Sequence, residues 1–202
     1  MLRRLEIHAF ASSVPVTDEG ALIMLREKNG DRVIPLQMSM RRAVTLMARD
    51  KMPLPAQLPV SVGDISVMML QQFGINITYV ELTAVKEGNF TCRVVCHRGE
   101  EEHIIEHCQA ADGLIISVIS RCPLVIEEEL LELQYMHKIG DGAYAMNINI
   151  LSRRLLEQAL EHAVANENYE VASQLRDELQ RRTNEAADDS QPMELQQDGS
   201  EQ

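Results

Sequence analysis

Histidine and arginine side chains concentrate in one predicted β-hairpin, where they could bind phosphate or a transition metal. If the hairpin turns at 98–102, His97 lies opposite His103. Arg93 then lies opposite His107, and all four side chains share one face, because side chains alternate along a strand. His103 and His107 are about 13 Å apart along a strand, which is too far for both to bind one ion directly. We therefore favour the alternative, a polar outer face of a sheet.

Two cysteines of the same hairpin, Cys92 and Cys108, could also face each other. Their face would carry Val94 and Cys96, so we predict that they pack in the core as small apolar residues. A zinc site is the alternative, but the chain has no Cys-x-x-Cys pair. The 4 cysteines make no dense disulfide framework, which favours a reducing compartment.

The overall composition is typical of a soluble globular protein. Of the 202 residues, 45% are hydrophobic, enough for a sizeable core, while only 3% are aromatic and none is tryptophan. An aromatic stacking surface for single-stranded nucleic acid is therefore disfavoured. No apolar run approaches the roughly 20 residues that cross a bilayer, so we expect a cytoplasmic protein without a membrane partner.

The charge is unevenly distributed. The net charge of −12 argues against a tight binder of duplex DNA, which usually presents a basic face. Segment 183–202 alone contains six acidic residues and no basic residue, whereas the first fifty residues contain eight basic and six acidic residues. A local basic surface is therefore possible near the N-terminus, although a mixed solvated surface is the simpler interpretation.

The order of the predicted elements indicates an α+β fold. Asn29-Gly30 marks a hairpin between strands at 21–26 and 32–36. β-Branched residues at 75–85 predict another strand before the hairpin described above. This order favours a mainly antiparallel sheet with packed helices, followed by a C-terminal helical hairpin.

Two helices are predicted between the hairpins. Apolar residues recur at helical spacing in the first helix, 39–48: Met40, Ala43, Val44 and Met47. The second begins at the Ser61-x-x-Asp64 start signal and ends at Gly74. We expect the second helix to bury four large side chains: Ile65, Met68, Met69 and Phe73.

The chain changes character near Ile150, where a helical hairpin is predicted over 151–182. It has two apolar stripes separated by the polar break 166–168: Leu156, Ala159, Leu160 and Ala163, then Ala172, Leu175 and Leu179. Such narrow stripes bury little surface alone, so the hairpin favours a partner.

This hairpin resembles the UVR motif in its segments 156–160, 166–172 and 175–179, which include the Leu-Arg-Asp-Glu run and Tyr169. The motif occurs in bacterial excision-repair subunits B and C and in clamp-like regulators of chaperone ATPases, and it pairs with another hairpin of its kind. The resemblance implies a protein partner, and the chain could also form a homo-oligomer. The implied partner-binding residues are Leu156, Leu160, Tyr169, Leu175 and Leu179.

Residues 5 to about 133 are similar to the bifunctional nuclease domain, a family with DNase and RNase activity that often precedes a UVR motif. The likeness lies in short stretches: 22–32, Ile34-Pro35-Leu36, Asp64-Ile65, Phe73-Gly74, Gly88-Asn89-Phe90 and 112–123. The predicted organisation has four parts: the nuclease-like domain at 1–133, a linker at 134–150, the UVR-like hairpin at 151–182 and an acidic disordered tail at 183–202.

Three departures from the family's usual pattern bear on activity. The family usually has Gly-Pro-x-Glu-Ala at its first helix, and here Arg42 stands at the position of the acid. Its Thr-His-Asp is Val62-Gly63-Asp64 here, and its Arg-Pro-Ser-Asp is Gln109-Ala110-Ala111-Asp112. An acid, a histidine and an arginine are thus absent, and phosphodiester hydrolysis uses these residue types.

Two functions follow as hypotheses. In the first, the chain is a nuclease that hydrolyses DNA or RNA, with Asp64 and Asp112 as catalytic carboxylates on a divalent metal, Mg²⁺ or Mn²⁺. Arg26, Arg41 and Arg42 would then contact phosphates. In the second, the domain keeps the fold without its chemistry, and the hairpin recruits a partner. Both aspartates would then serve as helix caps, which is the interpretation we favour for them.

Overall fold

This computed structural model describes residues 1–12, 20–51, 60–86, 88–139, 143–145, 147–151 and 153–188. The chain divides into two compact units, Met1–Leu151 and Ser152–Gln202. In the described part of the first unit, seven strands form one mixed sheet in the order β3-β2-β1-β7-β4-β5-β6. These strands are β1 (Leu2–Ser12), β2 (Ala21–Glu27), β3 (Val33–Met38), β4 (Asn76–Lys86), β5 (Asn89–Arg98), β6 (Glu101–Gln109) and β7 (Leu124–Glu127).

The predicted fold class is confirmed. Neighbouring strands run antiparallel except β4 and β7, which pair in parallel. The helices of this unit are α1 (Met40–Lys51), α2 (Val62–Gln72), α3 (Ala110–Ser120) and α4 (Glu128–Gln134). Antiparallel hairpins need only short turns, whereas the parallel pair requires the long connection that carries α3.

Helix α3 is the central helix of the layer that covers the sheet. It contacts strands β3 to β6 and also both α1 and α2. Its Gly113 permits a close approach to the sheet, since a Cβ there would lie 2.4 Å from Cys92 Sγ. The core beneath is aliphatic, and its fully buried side chains include Ile23, Leu36 and Leu82. Each such side chain contributes roughly 1.5–3 kcal/mol on burial.

The prediction of which face α2 buries was wrong. Ile65, Met68, Met69 and Phe73 are 47%, 52%, 56% and 65% exposed, whereas Asp64 and Val67 are buried. The helix has apolar residues on two faces, and the less conspicuous one packs against α3. In α1, similarly, Ala43 and Leu46 are buried. The other apolar side chains that recur along α1 are exposed: Met40, Val44 and Met47.

The β5–β6 hairpin differs from the predicted register by one residue. The turn is shorter than expected, so Arg98 pairs with Glu101, and His97 lies opposite Glu102. His103 therefore lies opposite Cys96, on the other face from His97, because a one-residue slip reverses the faces. The predicted four-residue histidine and arginine face does not form.

A bulge later in β6 restores the pairing of Cys92 with Cys108. The register shifts between Cys92 and Val94 of β5, and His107 of β6 has φ of 58°. Cys92 is fully buried, and burial raises the pKa of its thiol to about 12. It is therefore a packing residue, as predicted, since a thiol of this pKa is not a nucleophile at neutral pH.

The segment predicted as a linker contains regular structure. Strands β8 (His137–Ile139) and β9 (Ala143–Ala145) form a small antiparallel ribbon, followed by a 3-10 turn at Ile148–Ile150. Ile150 is 4% exposed and belongs to the hydrophobic core of the first unit. This segment is therefore largely part of that unit, while Gly140 and Gly142 lie outside the described residues.

In the second unit, α5 (Arg153–Ala165) and α6 (Tyr169–Asp188) pack against each other as a hairpin. Their connection includes Glu167 at φ 55°, and the side chain of Asn168 accepts a hydrogen bond from the backbone N–H of Val171. Helix α6 extends six residues into the predicted acidic tail, and 189–202 lie outside the described residues. Among the helices that are described, none has the length and apolarity to span a bilayer.

Candidate functional site

A cleft of about 780 Å³ lies among the N-terminal regions of α1, α2 and α3. Its described lining includes Arg41, Arg42 and Asp112, together with the hydroxyl side chains of Ser61 and Ser66. The described lining does not include two other residues that the sequence assigned to a site, Asp64 and Arg26. Three of the five predicted site residues of the domain therefore share one cleft.

Asp112 is held by an arginine at the mouth of this cleft. It is the third residue of α3, and its Oδ2 accepts a hydrogen bond of 2.9 Å from Arg42 Nη2. Both side chains are partly exposed, at 38% for Arg42 and 48% for Asp112. The side chain of Gln109, which precedes α3, makes no capping hydrogen bond. Asp112 is thus the acid that offsets the positive end of the α3 dipole.

Asp64 has a different environment, because it is fully buried. It is the third residue of α2 and completes a capping box with Ser61, which confirms the start signal predicted for this helix. Its Oδ2 accepts hydrogen bonds of 2.7 Å from both the backbone N–H and the hydroxyl of Ser61. Arg49 Nη2 donates a third hydrogen bond of 2.5 Å to the same oxygen.

The pKa of Asp64 reflects two opposing effects. Burial raises the pKa of the carboxyl, because the charged form is less well solvated. The hydrogen bonds from Ser61 and Arg49 stabilise the carboxylate and outweigh burial, so that the pKa lies below its ordinary value. Asp64 is therefore a buried, charged helix cap at neutral pH.

One helix supplies both arginines. Arg42 and Arg49 are seven residues apart, so they lie on the same side of α1. Each pairs with the aspartate at the third position of another helix, Asp112 in α3 and Asp64 in α2. We call Arg42 and Arg49 the arginine pair of α1. The arginine pair ties the first turns of α2 and α3 to α1.

Arg49 contacts a predicted site residue, Asp64, but was not itself predicted from the sequence. It is 5% exposed, and an arginine is rarely so buried unless it is paired. The available signal was its seven-residue spacing from Arg42, on the side of α1 that also includes Leu46. Arg26, by contrast, is an exposed residue of β2.

The residues present do not fit a divalent metal ion. Within the described residues, no group of three His, Cys, Asp or Glu side chains has an arrangement that could hold a metal ion. Asp112 is already paired with a guanidinium. The Oδ1 of Asp64 has no hydrogen-bond partner, but its carboxylate is fully buried beside Arg49. A metal would therefore have to displace Arg42 or open the packing around α2.

The five predicted partner-binding residues of the α5–α6 hairpin differ in their exposure to solvent. Leu156 and Leu175 are buried, at 0% and 3% exposure, and Leu160 and Leu179 are partly buried. Tyr169 is 69% exposed at the start of α6. Of the five predicted partner-binding residues, Tyr169 is thus the one most open to a partner.

A family model of the bifunctional nuclease domain matches residues 23–138, which is more than half of the chain. This chain belongs to the bifunctional nuclease domain family. The matched part includes α1, α2 and α3, and therefore the cleft and the arginine pair. The helical hairpin lies outside the match. A comparison with curated proteins found no match.

The first prediction concerns the two aspartates of this bifunctional nuclease domain. Replacing Asp64 by Asn should lower the free energy of unfolding by about 3–5 kcal/mol, because it leaves Arg49 buried without its counter-charge. The matched variant Asp112→Asn breaks a partly exposed pair and should cost less than about 1 kcal/mol. Urea unfolding at neutral pH measures both values, and equal losses would contradict the assignment.

The lowered pKa of Asp64 also predicts how the stability of the Asp64→Asn variant changes with pH. The folded pKa of Asp64 is lowered, so its contribution is complete above the unfolded pKa of about 3.9. That contribution is lost as the pH falls through the folded pKa. The Asp64→Asn variant should therefore lose less stability on acidification than the wild type does.

Proposed function

We propose that this protein is a member of the bifunctional nuclease family that acts by protein interaction rather than by phosphodiester hydrolysis. In this proposal the N-terminal domain keeps the family fold, and the UVR-like hairpin binds a protein partner. The observation that carries the proposal is the ion pair between Arg42 and Asp112 in the cleft.

This ion pair opposes metal-assisted hydrolysis on electrostatic grounds. A divalent cation that polarises a phosphoryl oxygen must be held in place by ligands, and carboxylates are its usual protein ligands. Here the guanidinium of Arg42 already neutralises Asp112, and it would repel a cation bound nearby. By resemblance, Arg42 also replaces a glutamate of the family pattern, so a candidate ligand has become a positive charge.

Metal-dependent nuclease activity is the second candidate, and the family match supports it. In that reading Asp64 and Asp112 would hold Mg²⁺ or Mn²⁺, and Arg26, Arg41 and Arg42 would contact phosphates of DNA or RNA. The cleft offers Arg41 for a phosphate, whereas the hydroxyls of Ser61 and Ser66 already donate to Asp64 Oδ2 and to the Val62 carbonyl. The two candidate functions predict opposite results in an assay of nucleic-acid cleavage.

The second prediction is that purified protein with Mg²⁺ or Mn²⁺ degrades neither plasmid DNA nor RNA faster than its Asp112→Ala variant. The variant is the matched control, because contaminating nucleases would act equally in both preparations. Asp112 is preferred over Asp64 for this test, since the Asp112 pair is partly exposed and its loss should leave the fold intact. Metal-dependent cleavage by the wild type that Asp112→Ala abolishes would establish the nuclease instead.

The hairpin offers an apolar surface for the proposed partner at the end where α5 meets α6. Val164, Tyr169 and Val171 are 52%, 69% and 40% exposed around this connection. Leu175 and Ala163 are buried and hold the helices together. An exposed aromatic residue among aliphatic neighbours is typical of the residues that contribute most to protein interfaces.

The third prediction is that the tagged full-length chain captures a protein that itself has a UVR-like hairpin. Replacing Tyr169 by Asp should abolish this capture, because a charge would enter the apolar contact. The Tyr169→Phe variant is the matched control and should retain it. Quantitative mass spectrometry of the captured proteins measures the effect. Capture that is the same in the wild type and in Tyr169→Asp would refute the proposed surface.

A further inference from the structure

Helix α2 has an apolar face on the outside as well as on the inside. Its inner face, with Val67 at 2% exposure, packs towards α3. Its outer face consists of Val62, Ile65 and Met69 and is continued by Phe73, the residue that caps the C-terminus of the helix. These four side chains are 81%, 47%, 56% and 65% exposed. These positions follow the i, i+3, i+7, i+11 pattern, which places them within an arc of about 80° on a helix. We call these four residues the outer stripe of α2.

The outer stripe belongs to a helix that presents no charge to solvent. The one charged residue of α2 is Asp64, which is fully buried against Arg49. The exposed positions of the helix are therefore apolar residues, serine and glutamine. Such a surface is unusual for a chain with a net charge of −12, because surface helices ordinarily have a charged outer face.

The exposed apolar area is close to what a dimer needs. The outer stripe and its neighbours Val60 and Met68, at 57% and 52% exposure, expose on the order of 600 Å². Each partner in a standard protein interface contributes about 800 Å². Contacts at the edge of the helix would supply the difference.

We infer that α2 is a self-association surface, on which the outer stripe packs antiparallel against the same stripe of a second copy of this chain. The two-fold axis would pass through the middle of the stripe. The large Phe73 would then meet the small Val62 of the second copy, and Ile65 would meet Met69. An antiparallel arrangement also places the dipoles of the two helices in a favourable orientation.

The net charge of the chain favours a second copy of the chain as the partner that covers the outer stripe. A basic partner would be drawn to the acidic surface elsewhere and would gain nothing from a neutral stripe. Two copies that each carry −12 repel each other at long range, and an uncharged stripe adds no further repulsion where they meet. An antiparallel pairing brings the stripe against the same stripe of the second copy, as a two-fold interface requires. This inference is independent of the proposed function, because it concerns the first unit and not the hairpin.

Sedimentation equilibrium of the full-length protein tests this inference. We expect the wild type to associate to twice its 22.8 kDa mass, and the Met69→Glu variant to raise the dimer Kd at least about tenfold. The matched control is Leu133→Glu, which introduces the same charge at an apolar side chain of α4 that is 63% exposed. This control should dimerise like the wild type, and circular dichroism verifies that both variants are folded.

A salt titration of the wild type tests the same inference without any substitution. Association through a neutral face is opposed only by long-range repulsion, so it should strengthen from about 50 mM to about 500 mM salt. Three results would overturn the inference: a monomer up to about 100 µM, a Met69→Glu variant that dimerises like the wild type, or association that weakens with salt. The second would assign self-association to another surface, such as the hairpin.

Discussion

The buried ion pair between Arg49 and Asp64 determines how the helices of the first unit are arranged. Its two side chains are 3% and 0% exposed, and it joins the C-terminal half of α1 to the first turn of α2. A buried charge that loses its partner is strongly destabilising, so the alternatives to this arrangement are few. The pair therefore fixes which side of α2 faces α3, and it leaves the outer stripe exposed. In this pair, the carboxylate of Asp64 has a structural role as a helix cap and as the counter-charge of Arg49.

Arg42 forms a similar ion pair nearer to solvent. Seven residues before Arg49, it pairs with Asp112 at the start of α3, at the mouth of the cleft. The two acids that the sequence suggested as metal ligands are thus both neutralised by the arginine pair of α1. In the proposed function, the guanidinium of Arg42 provides positive charge at a position where metal-assisted hydrolysis would need the metal ion. Both aspartates lie in the first turn of a helix, where they stabilise α2 and α3 independently of any catalytic role.

Much of the fold follows from local signals in the sequence. Asn29-Gly30, the Ser61-x-x-Asp64 start and Gly74 each identify a turn or a helix end by its backbone chemistry, and all three lie where expected. The face of α2 was not predictable, because both of its sides have apolar residues and the choice between them depends on Arg49 and α3, which come from other parts of the chain. The register of β5 and β6 was missed because a turn of two residues and a later bulge depend on details of backbone geometry. Arg49 pairs with Asp64 across fifteen residues, and no local pattern links residues at that separation. Its seven-residue spacing from Arg42 indicates only that the two arginines share one side of α1.

A manganese titration of the isotopically labelled protein, followed by NMR, tests most directly whether the arginine pair has replaced a metal. Mn²⁺ broadens the amide signals of residues near the ion that it binds. We expect no saturable, site-specific broadening at Ala111, Asp112 and Gly113, because Arg42 neutralises the carboxylate of Asp112. Saturable broadening of these three amides at micromolar Mn²⁺, abolished in the Asp112→Asn variant, would contradict it.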